Sequence, residues 1–315
     1  MPDAESRDRN EREPKVSRLT DTYFRKTFPA FAQAVKGSEK DGRGPLAETV
    51  ERNIRKQEDK YEDVYKRHAK KYGTSIDEYK RRLQKKVEEI VAESEFFQRI
   101  TVDALKDVVG GSGWIKSQVE TGTAGPGSYH GPGVKRSADE ALFGYPMDGD
   151  ASKRPVFGYI SRDPNGQVHG SDMSGYGPVM VKYKRSRIIN RTTVTFGDSY
   201  NGAGMMTGSS SSFVPTPASH PHFTSAFPGS FSKPERGENI KDWDPLTDLT
   251  PSDRPARRGA SGEPYYEAQY HGGVGIADVE SIHVKQSDLD SNPTLKNIID
   301  SLSKGSSRGI KVVIY

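Results

Sequence analysis

Three stretches of this 315-residue chain carry side chains whose types and spacing could do chemistry. The first is Tyr265-Tyr266-Glu267-Ala268-Gln269-Tyr270-His271-Gly272-Gly273. In a strand, alternate residues share a face, so Glu267, Gln269 and His271 line one side and Tyr266, Ala268 and Tyr270 the other. A carboxylate, an amide and an imidazole in a row suit a site better than a core. The glycines beyond allow close approach of a ligand or of backbone. The same row also fits a solvated edge strand. The second stretch, Arg191 to Tyr200, is a β-branched run ending in Gly197-Asp198-Ser199. It delivers the hydroxyls of Thr195 and Ser199 to a turn, where they would order a ligand or simply build an Asx-type turn. The third, Lys153 to Ile160, puts Arg154 before a strand-like segment. A guanidinium there can fork onto a phosphate or stay in solvent ahead of an edge-strand proline.

Other chemistries find less support. The chain has no cysteine, which removes disulfides, thiolate zinc sites and a cysteine nucleophile together. No phosphate loop of the GxxxxGK[ST] type and no HExxH occurs. His220 and His222 flank Pro221 with no third ligand nearby, so no metal site is expected. Lys and Arg total 47 against 43 Asp and Glu, a net charge of +4 that gives little pull toward nucleic acid. The run Lys80-Arg81-Arg82 with Lys85-Lys86 is interleaved with Glu78, Glu88 and Glu89 and reads as a solvated helix face. No stretch of about 18 apolar residues is present, so no membrane contact is expected. The polar start Met1 to Glu5 and the absence of cysteine fit a cytoplasmic chain.

The elements that would position these residues divide the chain. Hydrophobic residues are 32% and charged residues 29%, with 32 Gly and 20 Pro, so much of it must be loop or tail. Residues 1–45 read as a mostly disordered tail with one apolar cluster, Leu19, Tyr23, Phe24, Phe28 and Phe31, in a short docking helix. Residues 46–110 read as a charged helical segment. It holds a helix over 46–72, a second starting at the Ser75 cap, and a third over 99–109 stopped by Gly110-Gly111. The first two, joined across Gly73, predict a helical hairpin, and a partner protein could dock there. From residue 111 the texture becomes strand-like. WIKSQVET, RPVFGYI, PVMVKYK, TTVTFG, YYEAQYH, ESIHV and IKVVIY are the expected strands, with ADEALFG as a short helix. Residues 201–262, with the tract Gly208 to Ser212 and several prolines, read as a long irregular insertion.

The order of these pieces resembles the ADP-ribosyltransferase superfamily, in its bacterial-toxin and phage-associated branch, over residues 112–315. That family uses an early-strand Arg, a Ser/Thr-rich second strand, and a late strand with two polar residues spaced by one. The matching residues are Arg154 in RPVFGYI, Thr195 and Ser199 in TVTFGDS, and Glu267 with Gln269 in YYEAQYHGGV. GIADVESIHV looks like the β-turn-β that follows, and Arg136 competes with Arg154 for the first position.

The resemblance implies an α+β chain in which the helical hairpin precedes a split β-sandwich domain. It implies mono-ADP-ribosyl transfer or NAD hydrolysis, with NAD as co-substrate and an unknown protein or nucleic acid as acceptor. The chain would be cytoplasmic or packaged in a phage virion. Glu267 would stabilise the charge that develops on the ribose, and Arg154 or Arg136 would hold the pyrophosphate. Ser199 and Thr195 would brace the carboxylate, Tyr265 or Tyr266 would stack on nicotinamide, and Gln269 or His271 would orient the acceptor. Here the carboxylate precedes the amide, the reverse of the family's usual order. Glu267 is therefore catalytic with Tyr265 before it, or Gln269 occupies the catalytic position. The reading from another class is a non-enzymatic virion or secretion component that binds through its N-terminal helices.

Overall fold

The computed structural model describes residues 18–36, 46–122, 132–168, 174–197, 199, 214–227, 244–249, 265–304 and 309–315. The fold mixes helix and sheet: an N-terminal helical region leads into one large mixed sheet. The helices are α1 (Arg18–Val35), α2 (Leu46–Lys60), α3 (Glu62–Lys71), α4 (Ile76–Glu93), α5 (Val102–Gly110), α6 (Gln118–Thr121), α7 (Pro132–Phe143), α8 (Arg185–Ile188), α9 (Pro245–Asp248), α10 (Gln286–Ser291) and α11 (Pro293–Lys304). The strands are β1 (Glu95–Ile100), β2 (Trp114–Ile115), β3 (Val156–Ser161), β4 (Val179–Tyr183), β5 (Thr192–Thr195), β6 (Thr216–Pro217), β7 (Tyr266–Tyr270), β8 (Val274–Gly275), β9 (Val279–Val284) and β10 (Lys311–Ile314).

The large sheet has eight strands in the order β10-β9-β4-β1-β3-β7-β5-β6, and β2 and β8 form a separate ribbon. Among the described strands only the β10–β9 pair is parallel. Period-two alternation sorts the side chains onto two faces. Tyr266, Ala268 and Tyr270 of β7, Ile160 of β3 and Val194 of β5 join one large core with α3, α4, α5 and α11. The opposite face carries two smaller apolar clusters. One gathers Phe97, Tyr159, Met180 and Tyr265; the other gathers α1, α2 and α7 residues around Phe31 and Phe143.

Local chemistry explains most elements. Ser75 caps α4 by accepting from the Glu78 N–H at 3.1 Å, and Thr101 caps α5 from the Ala104 N–H at 3.2 Å. Gly73 turns α3 into α4 with φ +62°, so the hairpin forms as the Ser75 start and glycine break predict. The expected helix over 46–72 breaks at Tyr61. Leu46, Val50 and Ile54 pack with α1 and α7, whereas Tyr61, Val64 and Tyr65 enter the main core.

The docking helix expected in the tail forms as α1, 18 residues long, with its Tyr23, Phe24, Phe28 and Phe31 buried in this chain. Other expectations require correction. The segment 46–110 is not helical throughout: β1 lies inside the large sheet, between β4 and β3. WIKSQVET is a two-residue strand followed by α6, because Ser117 accepts from the Glu120 N–H at 3.1 Å and starts a helical turn. Within 201–262, residues 214–227 and 244–249 are described, and Phe223, Phe227 and Leu249 belong to the main core. Asp198, and the tract from Gly208 to Ser212, lie outside the described residues.

Candidate active site

β7 runs between β3 and β5 in register. Glu267 lies opposite Tyr159 and Thr195, and Gln269 opposite Phe157 and Thr193. Glu267, Gln269, Thr193 and Thr195 thus share the face that carries the two smaller clusters. All four are buried, Glu267 to 3% exposure. The turn after β5 brings Ser199 onto the same carboxylate, where its hydroxyl donates to Glu267 Oε1. Gln269 Nε2 donates to that oxygen at 2.6 Å and to Thr195 Oγ1 at 3.4 Å, and Thr195 donates to the Gly197 carbonyl at 2.6 Å.

The polar row continues past Gln269. Thr193 Oγ1 donates to Gln269 Oε1 at 2.7 Å and meets His271 Nε2 at 2.9 Å, and Tyr145 OH meets His271 Nδ1 at 3.0 Å. The directions follow from the ends. A Thr193 hydroxyl that donates to the amide must accept from His271, so the imidazole carries its proton on Nε2 and accepts from Tyr145 on Nδ1. Every bond from Tyr145 to Gln269 then points toward the carboxylate. Burial, with Arg191 nearby, lowers the His271 pKa to about 3, so the ring is neutral in the fold. Phe143 packs edge-on against the ring at 4.9 Å, Tyr145 stacks on it at 6.1 Å, and Phe31 of α1 closes over it at 6.4 Å.

The structure brings Glu267, Gln269, Ser199 and Thr195 together. Tyr265 lies near the same face but packs edge-on against Tyr176 at 6.3 Å. Tyr266 does not join the site. It points to the other side of the sheet, where it meets Phe196 at 5.0 Å, because adjacent strand residues alternate.

The two candidate arginines are also differently used. Arg154 is 1% exposed, with its guanidinium on Asp139 at 3.3 Å, on the Arg136 carbonyl at 3.2 Å, and on the carbonyls of Pro146 and Met147. Arg136 donates to the carbonyls of Met147 and Gly149, each at 2.9 Å. By register Arg154 precedes the Tyr159–Glu267 pair by five residues of chain, roughly 17 Å along a strand. Both arginines hold the 146–149 turn, and Arg154 sits 5.8 Å from the Tyr145 ring centre, at the far end of the row.

Sequence reasoning missed Thr193 and Tyr145. Thr193 was legible, because it shares a face with Thr195 two residues on. Nothing local marked Tyr145, which reaches His271 from 126 positions away. No protein-family model matches the chain, and a search of curated proteins gives no match.

Proposed function

We propose that the chain cleaves NAD at the nicotinamide–ribose bond, as a mono-ADP-ribosyltransferase or NAD glycohydrolase, with Glu267 as its catalytic carboxylate. One observation carries this reading: a buried carboxylate, between two apolar clusters on a sheet face, takes hydrogen bonds from Ser199 and Gln269 at a single oxygen. This is the carboxylate, hydroxyl and amide part of the constellation that the resemblance implies, without its arginine, since Arg154 and Arg136 are both engaged on the 146–149 turn; the fold type it implies is part of the same proposal.

The chemistry follows from the charges. As the C–N bond breaks, its electron pair neutralises the pyridinium and nicotinamide leaves, while positive charge develops on the ribose. An acceptor nucleophile or water then bonds to the ribose carbon. A fixed carboxylate near the 2′-hydroxyl stabilises that charge without reorganising. Ser199 and Gln269 hold the carboxylate in place. Gln269 is therefore a positioning residue, and its place after Glu267 leaves the carboxylate as the only anionic group of the pair. The buried, paired Arg154 acts on the Tyr145 end of the row and not on the pyrophosphate.

The interaction reading has less to work with. The apolar stripe of α1 is buried against this chain. The basic run on α4 is also largely paired: Lys80 with Glu58 at 2.8 Å, Arg81 and Arg82 with Glu78, and Lys86 on the Leu246 carbonyl at 2.6 Å. No helix of the described residues is long and apolar enough to cross a membrane.

Incubation with labelled NAD and a cell lysate tests the proposal. Label on a protein or nucleic-acid band means transfer, and free ADP-ribose means hydrolysis. Intact NAD after prolonged incubation would overturn it.

A further inference from the structure

A cleft opens where β7 ends, at Gly272 and Gly273, away from Glu267. It encloses about 770 Å³ and is lined by Trp114, Arg187, Arg191, Asp278 and the glycines around them. That volume suits a small molecule.

Its two walls differ in chemistry. One is the β2–β8 ribbon, where Trp114 pairs with Gly275. Trp114 is 55% exposed, the most exposed large apolar side chain among the described residues. Its six-membered ring rests on glycine backbone: a Cβ at Gly275 would meet it at 3.2 Å and one at Gly273 at 3.4 Å. Gly273 also has φ +75°, so both space and backbone favour glycine under the indole. An aromatic ring seated this way keeps area for stacking.

The other wall is cationic. Asp278 bridges two guanidiniums, accepting from Arg187 Nε at 3.2 Å and Arg191 NH2 at 2.9 Å. Arg191 also donates to the His271 carbonyl at 2.8 Å and to that of Gly273, so it is fixed. Arg187 is bound through Nε alone, and its two terminal nitrogens make no hydrogen bond within the described residues. Two guanidiniums against one carboxylate leave one net positive charge in the cleft, with an open fork that matches phosphate oxygens.

We infer that this cleft binds a nucleotide, with the base stacked on Trp114 and the phosphate on Arg187. The inference does not depend on the proposed NAD chemistry, because no residue is shared with the Glu267 row. A free nucleotide is the occupant; the aromatic and acidic side chains of a peptide are the competing chemistry.

Calorimetric titration of the full chain with AMP, adenosine, ribose 5-phosphate and a short Glu/Tyr peptide tests it. AMP should bind saturably, and adenosine and ribose 5-phosphate each about tenfold or more weaker, since each lacks one of the two contacts. Trp114→Ala and Arg187→Gln, both at exposed positions, should each weaken AMP by about tenfold, while Trp114→Phe and Glu267→Gln should leave it near wild type. Three results would overturn the inference: no saturable AMP binding, tighter binding of the peptide, or AMP binding lost in Glu267→Gln but kept in Trp114→Ala.

Discussion

Gln269 Nε2 lies 2.6 Å from Glu267 Oε1, and the carboxylate, which only accepts, sets the amide so that its oxygen faces Thr193. An amide can flip its oxygen and nitrogen at little steric cost. Here Nε2 must face Glu267, which leaves Oε1 to accept from the Thr193 hydroxyl and holds the amide at both ends. Thr193→Val removes that donor and the acceptor for His271 with little change of shape. It should lower kcat for NAD cleavage by about 10- to 100-fold with KM nearly constant, since it disturbs orientation rather than binding. Steady-state kinetics at matched folded fraction check this; an unchanged kcat would separate the row from catalysis.

Asp244 holds a different part of the fold. Its carboxylate accepts from Tyr72 at 2.6 Å, Lys71 at 3.0 Å and Tyr79 at 3.2 Å, and so ties the 244–249 turn to α3 and α4. Burial alone would raise its pKa, but the Tyr72 and Lys71 hydrogen bonds and nearby His68 outweigh burial and hold it below the usual carboxylate range. A depressed folded pKa gives stability that is complete above the unfolded value near ~4 and is lost as pH falls through the folded value. Asp244→Ala should cost about 3 kcal/mol near neutral pH, and less in strong acid where the wild type has also lost this term. Urea midpoints across the acid range measure it.

Three buried histidines give a second acid limb. Burial is the main cause in each, lowering His271 to about 3 and His222 and His283 to about 4. Lys182 and Arg99 add to the shift at His283. In the unfolded chain these rings titrate near ~6.5, so the unfolded state binds more protons as pH drops below that value. Their stabilisation is full above about pH 6.5 and falls by about 2 kcal/mol per histidine by about pH 5. His222→Gln should flatten that decline in denaturation measured from neutral pH to about pH 5.

Gly158 sits in β3 with no room for a methyl group. A Cβ there would overlap the Phe97 carbonyl and come within 2.7 Å of the Tyr270 ring. Both neighbours are in buried strands, so neither can move freely. Gly158→Ala should destabilise by about 2 to 3 kcal/mol, more than the usual surface substitution, and thermal denaturation would show it.

The sequence revealed strands better than their partners. RPVFGYI, PVMVKYK, TTVTFG and YYEAQYH show β-branched and aromatic texture and form β3, β4, β5 and β7. β1 did not show itself. Its Phe96, Phe97, Gln98, Arg99 and Ile100 are all buried, so apolar and polar residues do not alternate as on a half-exposed strand. α11 also went unread, although Leu295, Ile299 and Leu302 have helical spacing.

At the site, the shared face of Glu267, Gln269 and His271 was legible from alternation alone. That the face is covered rather than solvated was not. Its cover comes from Phe31 and Phe143, far away in sequence. The same limit applies to Arg154, whose partner Asp139 is brought to it by α7.

Nicotinamide release from NAD by the purified chain, compared with Glu267→Gln at equal folded fraction, tests the central claim most directly. Glu267→Gln keeps the size of the side chain and one acceptor oxygen for Ser199 and Gln269 while removing the charge. We predict measurable release by the wild type and a loss of at least about 100-fold in the variant, with thermal stability little changed. Equal rates in the two proteins, or none in the wild type, would contradict the assignment of Glu267 as the catalytic carboxylate.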